Sequence, residues 1–215
     1  PYSMPFLEEA ARRFHLGMVF ESSLPDGKLV RARMGVAEYR FEVQGQTAHA
    51  GRDFQAGRNA IDALSEIVLK ASELNRSMEG VVVNVGRIEG GGPINVVPDR
   101  AAADLNVRAW RADQMIDLEE RLRACGTVVG NREGYEIEFL PVISRGPKEV
   151  NPEGEALFGA FRDCGRVIGL EVGWRDSGGG SDGNILAVEG LPNIDSLGVR
   201  GEFIHSEQEY VLVES

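Results

Sequence analysis

Between Val36 and Ile143 the spacing of apolar residues switches between strand and helix periods in one order, and that order most constrains the fold. VAEYRFEVQG alternates apolar and polar residues, as a half-exposed antiparallel strand does. From about Asn59 to Asn75, Ile61, Leu64, Ile67, Val68 and Ala71 recur at helical spacing. VVVNVGRIEG and RAAADLNVRAW read as strands, the second with Ala102, Leu105 or Val107, and Trp110 as core candidates. RADQMIDLEERLRAC reads as a helix with Met115, Ile116, Leu118 and Leu122 on its apolar side. YEIEFLPVI is a last alternating strand. The order β-α-β-β-α-β is the split βαβ, or ferredoxin-like, unit, complete in itself.

The flanks carry other material. LEEAARRFH reads as a helix, with acids early and bases late as the helix dipole prefers, and LGMVFE as a short buried strand ending in Glu21. After Ile143 come a helix at about Pro152–Ile168, a strand (LEVGW), a Gly-rich loop, a short helix and a strand (NIDSLG). These segments offer too few strands for a sheet of their own. The expected class is α/β: a ferredoxin-like domain at 36–143 inserted into a partial α/β domain made of 1–35 and 144–215. The chain starts on Pro1 and stops within EYVLVES, which suggests a piece of a longer protein.

Composition narrows the partners. Lys and Arg total 23 and Asp and Glu 34, giving a formal charge of −11. That balance argues against generic nucleic-acid binding, which needs a basic face, and against an anionic membrane surface. No apolar run approaches the roughly 18 residues that a spanning helix needs. The start lacks the basic and apolar regions of a signal peptide. The 2 Cys, Cys125 and Cys164, make no disulfide framework and read as free thiols, so a cytoplasmic protein is expected.

With only 3 His in the chain, each can be weighed. His15 ends a helix, where a cation suits the dipole, and reads as structural. His49, in the loop QTAHAGRDF, is as compatible with a plain surface role as with function. His205, in RGEFIHSEQEY, follows a strand of an α/β layout, where ligand-bearing loops sit. Glu21 is either a solvated strand end or a hard oxygen ligand; Glu with His suits zinc. SGGGSDGN (Ser177–Asn184) either brings backbone close to a ligand or is a flexible turn with Asp182 as an N-cap. No GK[ST] follows it, so it is not a phosphate-binding P-loop. Asn95 lies in a loop between two strands. Arg108, on a strand among apolar residues, either pairs with an acid or presents a fork to a ligand carboxylate.

Taken in order, VFE and a turn, then TAHAG and GRNAI, then GGGPINVVPD with DLNVR, then SGGGSDGN, then LGVRGEFIHSEQEY form a series. The chain resembles the aminoacylase and glutamate carboxypeptidase family of two-zinc peptidases, from about Arg12 to Glu209. The resemblance implies a zinc-binding α/β catalytic domain interrupted by a ferredoxin-like lid that also forms a homodimer. Glu21 looks like the acidic ligand of one zinc and His205 like the histidine ligand of the other. His49 looks like the lid histidine that reaches into the partner protomer's site and steadies the oxyanion. Arg108, with Asn95 assisting, would grip the substrate's free carboxylate, and Gly178, Gly179 and Gly180 would line the pocket with backbone. The implied chemistry is attack by a zinc-activated water, with a Glu as general base.

The departures are large. The family's His-x-Asp motif, its metal-bridging Asp and its Glu-Glu pair are not found, and the chain ends ten residues after His205. Ser22 stands where the family usually has Pro. The expected function is therefore hydrolysis of an amide bond to a C-terminal amino acid such as glutamate, in a parent protein holding two zinc ions that this chain alone need not hold. The substrate would be an N-acyl or peptidyl amino acid with a free carboxylate. The alternative is a non-catalytic dimerisation module, which predicts no metal and no dependence on His205.

Overall fold

The computed structural model describes residues 3–23, 25–204 and 206–215. In chain order the elements are α1 (Met4–Arg13), β1 (Gly17–Val19), β2 (Leu29–Arg33), β3 (Gly35–Gln44), α2 (Ala60–Ser77), β4 (Val81–Gly90), β5 (Arg100–Ala109), α3 (Ala112–Gly130) and β6 (Glu136–Arg145). They continue with α4 (Pro152–Val167), β7 (Trp174–Ser177), α5 (Asp182–Val188), β8 (Asn193–Asp195), β9 (Gly201–Glu202) and β10 (Tyr210–Val211). The chain divides into two compact units, Val36–Ser144 and a second made of Pro1–Gly35 with Arg145–Ser215.

In the first unit the strands lie in the order β4-β5-β3-β6, which with two helices is the ferredoxin-like topology. The period of two along β3 sends Ala37, Tyr39, Phe41 and Val43 inward, each 3% exposed or less. They meet Leu64, Ile67 and Ala71 of α2 and Leu118, Leu122 and Val129 of α3. Burying each large apolar side chain contributes on the order of 1.5–3 kcal/mol. Leu105 and Val107 are both core residues, whereas Trp110 is only half-buried and Ile61 and Ile116 face solvent. Asn59 caps α2 by accepting from the Ile61 and Asp62 amides at 3.0 and 3.3 Å. At the other end Asn75 exchanges two 2.8 Å bonds with the Val83 backbone, tying α2 to β4. The opposite sheet face is charged: Arg40 meets Glu42 at 2.7 Å, Asp104 at 2.8 Å, and Glu89.

The second unit does build its own sheet, contrary to the sequence expectation. Its short strands lie in the order β1-β8-β2-β7, with β1 parallel to β8, β2 parallel to β7, and β2 antiparallel to β8. Strand β7 begins later than LEVGW suggests, because Leu170 folds back to donate to the Gly165 carbonyl at the end of α4. Trp174 instead stacks on Phe158 of α4, with ring centroids 3.6 Å apart. Leu29, Phe158 and Ile194 form one small core, and Ala11, Leu186 and Leu191 another. Among the described residues no helix is long and apolar enough to cross a membrane. Cys125 is free and buried, and burial pushes its thiol up; Cys164 is free and exposed.

Candidate functional site

In the ferredoxin-like unit, chain reversals at one end bring His49 and Asn95 together. Beyond β3, Gly45 donates to the Asp99 carbonyl, and a short ladder follows. The Val97 amide donates to Ala48 and the Ala50 amide to Asn95, at 2.9 and 3.0 Å, with His49 bridged to Val96. His49 is exposed on this ladder, and its Nδ1 accepts the Gly51 amide at 3.1 Å. An accepting Nδ1 puts the neutral ring's proton on Nε2, which is then a donor. Asn95 is exposed beside it.

Arg108 lies elsewhere. Eight residues of strand separate Arg100 from Arg108, about 26 Å at the usual rise. Asn95 precedes Arg100, so one copy of this unit does not gather Asn95 and Arg108 at a single small ligand. The half-buried Arg108 donates from Nε to Asn106 Oδ1 at 3.1 Å, and Asn106 in turn reaches Glu38 at 3.4 Å.

In the second unit Glu21 follows β1 with its side chain exposed. Its backbone is fixed: the Gly198 amide donates to the Glu21 carbonyl at 2.9 Å, and the Leu197 amide to Val19 at 3.1 Å. A Cβ at Gly198 would come within 2.5 Å of that Glu21 carbonyl, so glycine permits the close approach. His205 lies outside the described residues. Among the described residues no three His, Cys, Asp or Glu side chains gather as a metal would require. Glu21 is an oxygen donor of the type zinc accepts, so these residues fit one ligand position and not a whole site.

The Gly-rich loop rests on a buried polar cluster that the sequence pattern does not reveal. Asp195, fully buried, receives Arg33 Nε at 2.7 Å and Nη2 at 3.0 Å, and Ser181 Oγ at 2.6 Å. Arg33 also donates to Ser196 Oγ at 3.0 Å and to the Gly179 carbonyl at 2.8 Å. Ser181, not Asp182, caps α5: its Oγ accepts the Gly183 amide at 3.0 Å, and its own amide donates to Asn184 Oδ1 at 3.0 Å. Lys148, 5% exposed, donates to the Val30 and Asn193 carbonyls at 3.2 and 3.1 Å and stands 3.9 Å from Asp195. Burial pushes its ammonium down to about 8, against the upward pull of Asp195. Burial alone would raise the Asp195 carboxyl, but the bonds and charge of Arg33, with Ser181 and Lys148, hold it below the usual carboxylate range. Ser196, next in sequence, has φ 65°, a left-handed conformation uncommon for a residue with a Cβ.

The chain thus holds a ferredoxin-like unit with His49 and Asn95 exposed, and an α/β unit with a Gly-rich loop. Residues 31–127 match the family described as peptidase dimerisation domain. Carboxypeptidase G2 of Pseudomonas sp. (strain RS-16) is 27% identical over 221 residues, covering 97% of this chain and 51% of that protein. The uncharacterized protein YqjE of Bacillus subtilis (strain 168) is 29% identical over 202 residues, covering 92% and 53%. The crystal structure of aminopeptidase PepT from Bacillus cereus ATCC 10987 superposes with a TM-score of 0.82 at 24% identity, covering 99% of this chain and 58% of that one. Residues 31–127 thus match a peptidase dimerisation domain, and the chain as a whole is similar to carboxypeptidases and related peptidases. It spans about half the length of these curated relatives.

Proposed function

We propose that the protein to which these residues belong is a cytoplasmic zinc-dependent hydrolase that cleaves an amide bond to a C-terminal amino acid such as glutamate. The observation that carries this reading is the closeness of His49 and Asn95 on neighbouring segments, His49 bridged to Val96 and Ala50 to Asn95, in a domain that matches the peptidase dimerisation family. Glu21 and His205 would each hold one of two zinc ions, and zinc, when bound, would polarise the scissile carbonyl and acidify a shared water. No residue of this chain is assigned as the general base. His49 donates from Nε2 to the oxyanion that develops on the carbonyl oxygen, which its Gly51-fixed tautomer suits. Arg108 offers its guanidinium to the substrate's free carboxylate. Gly178, Gly179 and Gly180 line the pocket with backbone.

Arg108 stands about 26 Å along β5 from Arg100, and Asn95 lies before that strand begins. That separation favours a homodimer through the lid in which His49 and Asn95 serve the partner's site, while Arg108 serves its own. In the full-length protein His49→Ala should lower kcat about 10²–10³-fold on an N-acyl glutamate, with bound zinc unchanged. Loss of zinc, or an unaltered kcat, would contradict this role.

A further inference from the structure

Arg33, Asp195 and Lys148 are buried charges that the proposed chemistry does not use. Arg33 ends β2 with its side chain 8% exposed, and it bonds to Asp195, Ser196 and the Gly179 carbonyl. Two of its bonds neutralise it on Asp195. A third goes to Ser196 Oγ, and the fourth, from Nη1 to the Gly179 carbonyl at 2.8 Å, has no electrostatic need behind it, yet it fixes one peptide plane of an otherwise exposed glycine loop.

We infer that Arg33 is a positioning residue that turns the Gly179–Gly180 peptide so that the Gly180 N–H faces outward as a donor for a substrate oxygen. This rests on the proposed role of the Gly-rich loop as pocket lining. In a trans peptide the carbonyl of one residue and the N–H of the next point to opposite sides, and the described residues contain no cis bond. Drawing the Gly179 carbonyl inward therefore sends the Gly180 N–H out. That N–H has no partner among the described residues, whereas the Gly179 N–H is turned back to Ser177 Oγ at 3.3 Å. Three glycines leave the chain free to flip this peptide, so a fixed anchor is needed to choose one orientation.

The loop is held from both sides. Ser181 is fixed by Asp195 on one hand and by Asn184 on the other. Asn184 is fully buried and spends its Nδ2 on the Met34 and Gly146 carbonyls at 3.1 and 2.9 Å. A Cβ at Gly183 would collide with the Asp195 carboxylate, so the helix start sits directly on the ion pair. Arg33 reaches past Ser181 to the Gly179 carbonyl. Its flat fork allows the bonds to Asp195 and to Gly179 at once, which a single ammonium does not.

The test is Arg33→Lys in the full-length, metal-loaded protein, read by steady-state kinetics, zinc content and a crystal structure. Lysine keeps the charge on Asp195 but loses the bond to Gly179. The expected result is a rise in KM of about tenfold to a hundredfold, the effect of a hydrogen bond to a charged or polarised oxygen, with kcat within a few-fold and zinc unchanged. The variant's crystal structure should find the Gly179 carbonyl released from its inward position. A folded variant with wild-type KM and that carbonyl still inward would overturn the inference, as would a loss confined to kcat. Should Arg33→Lys fail to fold, the triple variant Arg33→Met, Lys148→Met, Asp195→Leu replaces all three buried charges by apolar groups and is read the same way. A wild type that hydrolyses no amide would sink the hydrolase reading; the variant's crystal structure would then decide the peptide orientation by itself.

Discussion

Asp195→Ala should destabilise the unit of Pro1–Gly35 and Arg145–Ser215 more than any surface change. The carboxylate is 0% exposed and answers two cations, Arg33 with its side chain 8% exposed and Lys148 at 6%. Deleting it leaves both buried without an anion. Removing one partner of a buried pair costs about 3–5 kcal/mol, and the second cation pushes this case to the upper end. A domain's whole stability is about 5–15 kcal/mol, so the variant should stand near its unfolding threshold. The chain has 2 Trp, Trp110 in the ferredoxin-like unit and Trp174 in the other. A Trp110→Phe background therefore makes Trp174 fluorescence a reporter of the second unit alone. Urea unfolding in that background should show the midpoint falling by the equivalent of about 4–5 kcal/mol at constant slope. A shift worth under about 1 kcal/mol would refute the view that this ion pair is fully desolvated.

Lys148 predicts an unusual alkaline response. Its folded pKa of about 8 lies below the usual lysine value of 10.5, so between these the unfolded chain binds the extra proton. Stability of its unit should rise as pH rises from about 8 to about 10.5, and Lys148→Met should remove that rise; a flat or falling profile in the wild type would count against a buried ammonium. Asp195 works on the acid side: held below the usual value of 3.8, it contributes stability above that value that is lost as pH falls through its lowered folded pKa. Arg108→Lys should raise KM for substrates with a free carboxylate and spare carboxylate-free amides; equal losses on both would remove its assigned role.

Much of the ferredoxin-like unit is legible in the sequence because its patterns are local. The alternation along β3 and the stripe of Leu64, Ile67 and Ala71 on α2 each state a buried face without reference to distant residues. Where the reading slips, a partner far along the chain intervenes. Arg33 and Asp195 are 162 residues apart, and a charged residue read alone defaults to the surface. Strands β2 and β3 are parted at Met34, whose carbonyl and amide are taken by Asn184 and Ser177. The cap of α5 moves from Asp182 to Ser181 because Asp195 holds the Ser181 hydroxyl in place. Of the site residues, Glu21, His49 and Asn95 are visible as types in suggestive loops. Which of them meet depends on β5 being ten residues long, with Arg108 near its far end and Asn95 before its start.

The most direct measurement of the central claim is the zinc content of the purified full-length protein, wild type and His205→Ala, by elemental analysis. The account predicts about two zinc ions per wild-type chain and a clear loss in the variant. A wild type that binds no zinc, or a variant that keeps its full complement, would contradict it.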